Sequence, residues 1–395
     1  MSKWNEKTLD EIAEFNPRES IKKGVIAKKI AMDKLQPYCR DIPSYELEAF
    51  SGGTKFRNGD TIMARITPCL ENGKIAKVNV LDEDEVGFGS TEYIVIRAKE
   101  GYDPDYLYYL VTSPIVRDPA IKSMVGSSGR QRVQTDVIQN LKVAIPEFAE
   151  QRVISSILKN IDDKIEINQK INDNLLQQAS AIFDNALHQS DAVSYTDLGA
   201  LGDVKGGKRL PKGINLISEP NSHPYIRVRD LNNVVFASLS NDYEYVDDET
   251  QKTISRYITN AGDVLISIVG TIGLTAIVDK SLNNANLTEN CVKVTNLNGI
   301  SPEYLLLYLR SNAGIEAITK GTVGAVQLKL PIKNIQAIPV PILPDSDAEQ
   351  LNGLLRSIFI QIAENVTESK CLAEIRDTLL PKLMSGELNV SELDL

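Results

Sequence analysis

The feature that most constrains how this chain of 395 residues can fold is an internal duplication. Seven segments recur in the same order, at an offset that runs from 194 residues (140 to 334) to 203 residues (56 to 259). The paired segments are FRNGDTIMARI (56–66) and TNAGDVLISIV (259–269), ENGKIAKV (71–78) and TIGLTAIV (271–278), STEYIVIRA (90–98) and LTENCVKVT (287–295), DPDYLYYLVTS (103–113) and SPEYLLLYLRS (301–311), GSSGRQRV (126–133) and GTVGAVQL (321–328), NLKVAIP (140–146) and NIQAIPVP (334–341), and EQRVISSIL (150–158) and EQLNGLLRS (349–357). Because chance resemblance does not preserve order over seven segments, we infer a duplicated unit of about two hundred residues.

Each copy predicts the same succession of elements. Runs rich in Val, Ile and Thr predict strands, and the apolar run 264–278 predicts a buried strand pair. Asp103-Pro104 and Ser301-Pro302 predict the start of a short helix, since proline is tolerated in the first helical turn. A glycine-containing loop, a proline-bounded strand and one long helix complete each copy.

Apolar residues at spacings of three to five predict the two long helices, over 149–190 and 345–395. The residues predicted to pair the helices are Ile154, Ile161, Ile165, Ile171 and Leu175 on the first and Leu351, Leu355, Ile358, Ile362 and Leu372 on the second. Asn168 and Ser369 interrupt the two apolar stripes, as polar residues do that fix the register of a coiled coil.

We therefore expect an α+β fold with an internal pseudo-two-fold repeat. Two similar mixed α/β globular domains, 1–148 and 191–344, are separated by two long antiparallel helices that form a coiled coil. The alternative is that each helix packs on its own globular domain. A helix of 35–40 residues is a rod of roughly 55 Å, longer than a domain of this size is wide, which favours pairing of the helices.

The distribution of charge leaves nucleic acid open as a partner despite a formal net charge of −10. Residues 1–148 carry 21 Lys and Arg against 22 Asp and Glu, and residues 191–344 carry 14 against 15. The segments 149–190 and 345–395 together hold 8 basic and 16 acidic residues, so −8 of the −10 lies in the predicted helices. Two globular domains near neutrality can bind a polyanion through local basic patches.

Residue types that build metal sites and disulfide frameworks are scarce. The cysteines are Cys39, Cys69, Cys291 and Cys371, and the histidines are His188 and His223. Their separation excludes a disulfide-rich scaffold and a Cys-based zinc finger, and we expect no metal site. The charged N-terminus lacks the apolar core of a signal peptide, and the longest apolar run is shorter than the roughly 20 residues of a membrane span. We expect a soluble, cytoplasmic protein that does not enter a membrane.

Motifs that carry catalysis are missing from the sequence. Residues 202–208 begin like a phosphate-binding loop, but Arg209 stands where that loop needs Ser or Thr, and Pro211 and Gly213 prevent the helix that must follow. There is no Asn-Pro-Pro-aromatic motif of an amino-methyltransferase and no carboxylate cluster of a nuclease. Two unclustered histidines exclude a nucleophilic triad. We expect a chain without catalytic activity of its own.

Basic and amide residues in the loops of each copy are the candidate DNA contacts, because Arg, Lys and Gln bind phosphates and base edges. They are Arg65, Lys74, Arg130, Gln131 and Arg132 in the first copy and Lys205, Lys208, Arg209, Arg227 and Arg229 in the second. The alternative, that any one of them is a solvated surface charge, stays open at this point.

Together these features resemble the DNA-specificity subunit of type I restriction-modification systems, over essentially the whole chain. The resemblance rests on the duplication, on the proline and Glu-Gln that precede each long helix, and on five motifs. The motifs are GDTIMARITPCLENGK (59–74), GSTEYIV (89–95), GSSGRQRV (126–133), LGDVKGGKRLPKG (201–213) and HPYIRVRDL (223–231).

The resemblance implies two target-recognition domains, each reading one half of a split sequence in double-stranded DNA. It also implies two methyltransferase subunits bound to the long helices, and endonuclease/translocase subunits. Those partners use S-adenosylmethionine to methylate adenine, and ATP and Mg for restriction, while this chain binds no cofactor and catalyses nothing.

One departure between the copies and two rival hypotheses remain. Gly129-Arg-Gln-Arg132 pairs by sequence with Gly324-Ala-Val-Gln327, so the two halves should read different bases. The first rival is a tandem scaffold or adaptor, assembled through its coiled coil, that does not read DNA. The second, a free-standing methyltransferase or nuclease, is disfavoured by the missing motifs.

Overall fold

A computed structural model describes residues 4–127, 129–240, 243–324 and 327–390. The chain forms two compact units. Unit 1 contains the described residues of 1–169 and 367–395, and unit 2 contains those of 170–366. Each unit therefore takes in one part of each long helix, beside the globular part predicted for it.

Unit 1 shows the predicted succession of strands, a short helix, a further strand and the long helix, and it adds three short helices that the sequence does not predict. Its strands are β1 (Asn5–Thr8), β2 (Ala13–Phe15), β3 (Ile26–Ile30), β4 (Glu46–Ala49), β5 (Thr54–Phe56), β6 (Thr61–Ala64), β7 (Ile75–Lys77), β8 (Gly87–Gly89), β9 (Tyr93–Ala98) and β10 (Lys142–Ile145), and its short helices are α1 (Leu9–Ile12), α2 (Pro104–Thr112), α3 (Pro114–Lys122) and α4 (Thr135–Gln139). The first part of α5 (Phe148–Gln189) also belongs to it.

Unit 2 repeats this succession. Its strands are β11 (Ser194–Asp197), β12 (Asp203–Gly206), β13 (Tyr225–Ile226), β14 (Phe236–Ala237), β15 (Val264–Ser267), β16 (Thr275–Val278), β17 (Asn286–Leu287), β18 (Cys291–Thr295) and β19 (Pro339–Ile342), and its short helices are α6 (Leu198–Leu201), α7 (Asp248–Ile254), α8 (Pro302–Arg310), α9 (Asn312–Gly321) and α10 (Ile332–Gln336). The last long helix, α11 (Asp345–Ser385), begins in unit 2 and ends in unit 1.

The sheets show that the duplication is structural. Unit 1 has a sheet of order β2-β9-β6-β7, and unit 2 has β12-β18-β15-β16 in the same order, extended by β14. The outer pairs also correspond, since β1 pairs with β10 and β11 with β19, both antiparallel. The parallel pairs β3·β8 and β13·β17 match as well. The buried strand pair predicted over 264–278 is confirmed as β15 and β16.

A Gly-Asp turn begins the central strand of each sheet. Gly59 and Gly262 have φ angles of +90° and +88°, in the left-handed region that glycine adopts without strain. The next residue, Asp60 or Asp263, accepts a hydrogen bond at 2.8 Å from the backbone N–H three residues earlier. This turn fixes where β6 and β15 start, and so where their far ends lie.

The short helices α2 and α8 form the centre of each core. The predicted start signals are confirmed, because Asp103 caps α2 at the backbone N–H of Tyr106 and Ser301 caps α8 at that of Tyr304. Every residue of 106–111 and 304–309 is buried, as expected for helices that are apolar all round. The sheet and the long helices pack around them.

The long helices run antiparallel where they meet within each unit. In unit 1, Asn168 of α5 donates to the Ser369 hydroxyl at 3.2 Å, and Asp162, six residues earlier, pairs with Arg376, seven residues later. In unit 2, Asn365 of α11 donates to the Asn172 side chain at 2.8 Å. The polar interruptions noticed in the sequence are thus hydrogen-bonded to the opposite helix.

The residues predicted to pair the helices differ in burial. Ile154, Leu351, Leu355 and Ile362 are buried, Ile161, Ile165, Leu175, Ile358 and Leu372 are half-buried, and Ile171 is exposed. Ile154 lies in the core of unit 1, and Leu351 and Leu355 in that of unit 2, so the first turns of each helix also pack on a globular part.

Ile171 requires a correction. Its side chain is 42% exposed, while the neighbouring Asn172 is buried against the opposite helix. Asp162 and Asn168 are buried in the same way. The buried face therefore includes polar residues that lie outside the apolar stripe. The face that is buried follows the helical period of 3.6 residues per turn, whether or not the residue at each position is aliphatic.

The chain beyond α11 leaves the helical path. The predicted helical segment 345–395 ends as a helix at Ser385, where Gly386 has a φ angle of +72°. Val390 is buried in the core of unit 1, and residues 391–395 lie outside the described residues.

Candidate nucleic-acid interface

Three charged side chains of unit 1 meet beside the end of β6. Arg65 follows that strand, Glu92 precedes β9, and Arg132 lies in the loop between α3 and α4. The Arg132 Nε donates to the Glu92 carboxylate oxygens at 3.1 and 3.0 Å, and its Nη2 donates at 2.6 Å. Arg65 Nε lies 3.8 Å from the same carboxylate. The hydrogen bonds from Arg132 hold the pKa of the Glu92 carboxyl below its ordinary value.

Backbone hydrogen bonds fix these three positions. Arg65 N donates to Glu92 O at 2.9 Å, and Val133 N donates to Arg65 O at 2.8 Å. Arg132 and Val125 exchange two backbone hydrogen bonds of 2.9 and 3.0 Å. Because half-exposed ion pairs add little stability, the side chains here contribute orientation rather than folding energy.

Gln131 and Arg130 precede this cluster along the loop. Gln131 is held through its backbone, which accepts from Thr67 N at 3.0 Å and donates to Thr67 Oγ1 at 2.9 Å. Arg130 is exposed, and it makes no ion pair within the described part of the chain. Ser128 lies outside the described residues. The loop thus presents one free and one held guanidinium.

Lys74 is less available than predicted. Its ammonium donates to the Met32 backbone carbonyl at 2.9 Å, and the residue is half-buried. Its own carbonyl accepts from Ala64 N at 3.0 Å, so Lys74 lies next to the end of β6. The Lys74 ammonium is bound to the backbone just after β3, so it lies near the Arg65, Glu92 and Arg132 side chains but is only partly open to solvent.

Unit 2 contains the same backbone arrangement around Lys329. Lys329 and Val323 exchange two backbone hydrogen bonds of 2.9 and 2.8 Å, and Leu330 N donates to Ile268 O at 3.0 Å. Ile268 follows β15 as Arg65 follows β6. Lys329 is exposed and was not among the predicted contacts.

We call these backbone hydrogen bonds the ladder: in unit 2 they link Ile268, Val323, Lys329 and Leu330, and in unit 1 Arg65, Val125, Arg132 and Val133. The ladder corrects which residues of the two loops correspond. By sequence Arg132 pairs with Gln327, but in the structure its counterpart is Lys329. Gly324, with φ +116°, matches Gly126, with φ +139°, because in each case an added Cβ would lie within 3 Å of a loop carbonyl. The second loop is one residue shorter, which a match of glycines conceals; residues 325 and 326 lie outside the described residues.

The correspondence between the copies is also shifted by one residue in the segments that precede β9 and β18. Sequence identity pairs Glu92 with Glu289. In the structure, Ile268 N donates to Asn290 O at 2.8 Å, as Arg65 N donates to Glu92 O. Asn290 is therefore the counterpart of Glu92.

The predicted cations near β12 all contact other side chains. Lys205 pairs with Asp203 at 2.9 Å, and Arg209, which is 83% exposed, pairs with Glu289 at 2.8 Å. The Lys208 ammonium lies 5.4 Å from the centre of the Tyr257 ring. Arg209 is thus held beside Asn290, the residue that follows Glu289.

Arg227 and Arg229 form a separate group on the turn after β13. Both pair with Glu244, Arg229 at 3.6 Å, and Arg229 also pairs with Asp230 at 3.3 Å. Burial raises the pKa of the Asp230 carboxyl. The structure does not bring these two arginines into the ladder around Lys329.

The carboxylates that hold these cations are not among the residues predicted from the sequence. Glu92 and Glu289 both follow a threonine just before the last sheet strand, and this repeated Thr-Glu pair was visible in the sequence. Lys329 and Asn290 had no comparable signal, since only the backbone ladder identifies them.

Two further properties concern the described residues alone. No three His, Cys, Asp or Glu side chains among them are placed to hold a metal ion. None of the helices described is both long and apolar enough to cross a membrane.

Comparison with known families identifies the class of protein. The family described as "Type I restriction modification DNA specificity domain" matches residues 1–177 and 192–360. The chain belongs to this family. It is a sequence-specific DNA-recognition subunit, and the scaffold hypothesis is not favoured.

Two curated relatives span most of the chain. The type I restriction enzyme MjaIX specificity subunit of Methanocaldococcus jannaschii is 23% identical over 322 residues, which cover 75% of this chain and 71% of that protein. The type I restriction enzyme HindI specificity subunit of Haemophilus influenzae is also 23% identical and covers 88% of this chain and 89% of its own length.

A solved structure shares the fold. The crystal structure of the type-I restriction-modification system S subunit from M. genitalium has a TM-score of 0.56 with this chain at 15% identity. The match covers 97% of this chain and 96% of that one.

Proposed function

We propose that each unit reads one half of a split site in double-stranded DNA. The observation that carries this is one backbone arrangement built twice with different side chains. Arg65, Glu92 and Arg132 in unit 1 stand where unit 2 has Ile268, Asn290 and Lys329. Equal geometry with unequal hydrogen-bonding groups suits the reading of two different half-sites.

The chain directs modification by partner subunits. The partners are two methyltransferase subunits, which use S-adenosylmethionine to methylate adenine, and endonuclease/translocase subunits, which use ATP and Mg. The names of the relatives as subunits of type I restriction enzymes support such an assembly. Since the proposed assembly acts on DNA, we propose that the chain is cytoplasmic.

The long helices offer surface for these partners. Ile167 and Ile375 in unit 1, and Leu354 and Ile360 in unit 2, are aliphatic side chains about half-exposed on otherwise polar helices. Exposed apolar residues rimmed by charge are typical of protein interfaces. The helical segments also carry most of the negative charge, so basic partners would gain affinity there.

Methyl transfer in a reconstituted system tests this function. The chain and a candidate type I methyltransferase subunit from the same source are purified separately and together, and incubated with duplex DNA and labelled S-adenosylmethionine. We expect sequence-dependent adenine methylation only from the mixture, because the chain supplies specificity and the partner supplies chemistry. Methylation by the chain alone, or a stable mixture that methylates without sequence preference, would contradict the proposal; the second result would favour a scaffold.

A further inference from the structure

The positions equivalent to Glu92 and Arg132 in unit 2 are occupied by Asn290 and Lys329, and the sequence analysis predicts neither residue as a DNA contact. In unit 1 the two side chains touch, with 2.6 Å between the Arg132 Nη2 and the Glu92 carboxylate. In unit 2 the same backbone hydrogen bonds place Asn290 and Lys329 on the same adjoining segments.

We infer that 92 and 132 in unit 1, and 290 and 329 in unit 2, are the specificity-determining positions of the two half-sites. This inference rests on the proposed function and adds which residues choose the bases. Arg130, Arg209 and the cations of the β13 turn then supply phosphate contacts around them.

The hydrogen-bonding capacity of unit 1 favours guanine. Glu92 accepts from the Nε and Nη2 edge of Arg132, whose side chain is 45% exposed, and the Nη1 and Nη2 edge makes no hydrogen bond within the described residues. A guanidinium presents donors only, and two parallel donors match the O6 and N7 acceptors of guanine. Glu92 is thus a positioning residue that fixes which edge of Arg132 is offered.

The hydrogen-bonding capacity of unit 2 differs. The Asn290 side chain is half-buried, and its amide makes no hydrogen bond to another side chain within the described ranges. An asparagine amide has both a donor and an acceptor and pairs with the N7 and N6 of adenine. Lys329 adds a flexible charge without a fixed fork.

The residue differences between the two units preserve the net charge and change the hydrogen-bonding groups. Arg65, Arg132 and Glu92 sum to +1, and Lys329 with Asn290 and Ile268 also sum to +1. The net charge of the exchanged side chains is therefore the same in the two units, and what differs between them is the pattern of donors and acceptors.

Transplanting the residues between units tests the inference. The variants are E92N/R132K, which gives unit 1 the groups of unit 2, and N290E/K329R, which does the reverse. Each is assembled with the methyltransferase subunits, and methylation of a randomised duplex library is sequenced. For E92N/R132K we expect at least a tenfold change of preference at one base pair of one half-site, from guanine toward adenine, with the other half-site unchanged. N290E/K329R should alter only the other half-site.

Matched controls remove an exposed cation of the same unit away from the ladder. K142A breaks the pair of Lys142 with Glu6 in unit 1, and K320A breaks that of Lys320 with Glu316 in unit 2. Both should leave the base preferences unaltered. Thermal unfolding shows whether each exchange variant is folded, and N290A, a smaller change, replaces N290E/K329R if it is not.

The outcomes separate the inference from the function on which it rests. If the unaltered assembly yields no split sequence, the proposed function fails. If it yields one and the exchange variants keep its bases, or weaken all sequences equally, the four positions do not determine specificity.

Discussion

At the residue scale, the structure divides the predicted DNA contacts into held and free cations. Arg132 and Arg209 are each bound by a carboxylate, whereas Arg130 is exposed without an ion pair within the described part of the chain. A held guanidinium has lost its rotamer freedom before binding and presents one fixed edge. A free one can follow the nearest phosphate. The two kinds should therefore contribute differently to affinity and specificity.

The salt dependence of binding distinguishes them. R130A should weaken binding to all duplexes alike and reduce the slope of log affinity against log salt by about one, as loss of a phosphate contact does. R132A should cost about 1–3 kcal/mol on the cognate duplex and much less on others, as loss of a base contact does. Titrations of the assembled complex at several salt concentrations measure both. Equal losses on cognate and unrelated duplexes for R132A contradict its assignment to bases.

The residues of the site were only partly predictable from the sequence. Arg65, Gln131 and Arg132 were predicted contacts, and the structure brings them together. Asn290 and Lys329 were not predicted. The register of the ladder is set by backbone hydrogen bonds and by loop length, and neither can be recognised from residue types. Alignment by shared glycine and glutamate residues shifted the copies by one residue before the last strand and by two in the loop.

At the element scale, periodicity predicted the strands, the long helices and most of the aliphatic residues on the buried helical face, but not the polar residues on that face. Aliphatic residues define the stripe in the sequence, whereas Asp162, Asn168 and Asn172 occupy buried positions of α5. A buried polar residue has no hydropathy signal, and its burial depends on a partner supplied by the other helix. Arg376 is that partner for Asp162, and Tyr109 donates to the same carboxylate at 2.7 Å.

Breaking this pair should destabilise unit 1. R376A leaves the 5% exposed Asp162 with the Tyr109 hydroxyl as its one remaining side-chain donor within the described residues. Removing one partner of a buried ion pair typically lowers the free energy of unfolding by about 3–5 kcal/mol. R356A, which removes an exposed arginine of the same helix, should change it by no more than about 0.5 kcal/mol. Urea unfolding followed by circular dichroism measures both, and similar values for the two variants would show that the pair is not a stabilising contact.

At the scale of the whole molecule, the duplication explains why a chain without catalytic motifs can serve as a specificity subunit. The same sheet order, the same Gly-Asp turn and the same ladder occur twice. Order and spacing of short segments were enough to predict the duplication from the sequence. The sheet order and the ladder are known only from the structure. Each long helix is divided between the two units, and the position of this division was not predictable, since the apolar periodicity continues through it.

The central claim is that each unit reads its own half of a split site, and one measurement tests it most directly. The chain is assembled with the proposed methyltransferase subunits, the assembly is allowed to methylate a library of random duplexes, and the modified sequences are read out. The account predicts two short blocks of specified base pairs, different from one another and separated by base pairs that are not specified, because the two ladders carry different side chains on the same backbone. A single uninterrupted motif, or two blocks of identical sequence, would contradict it.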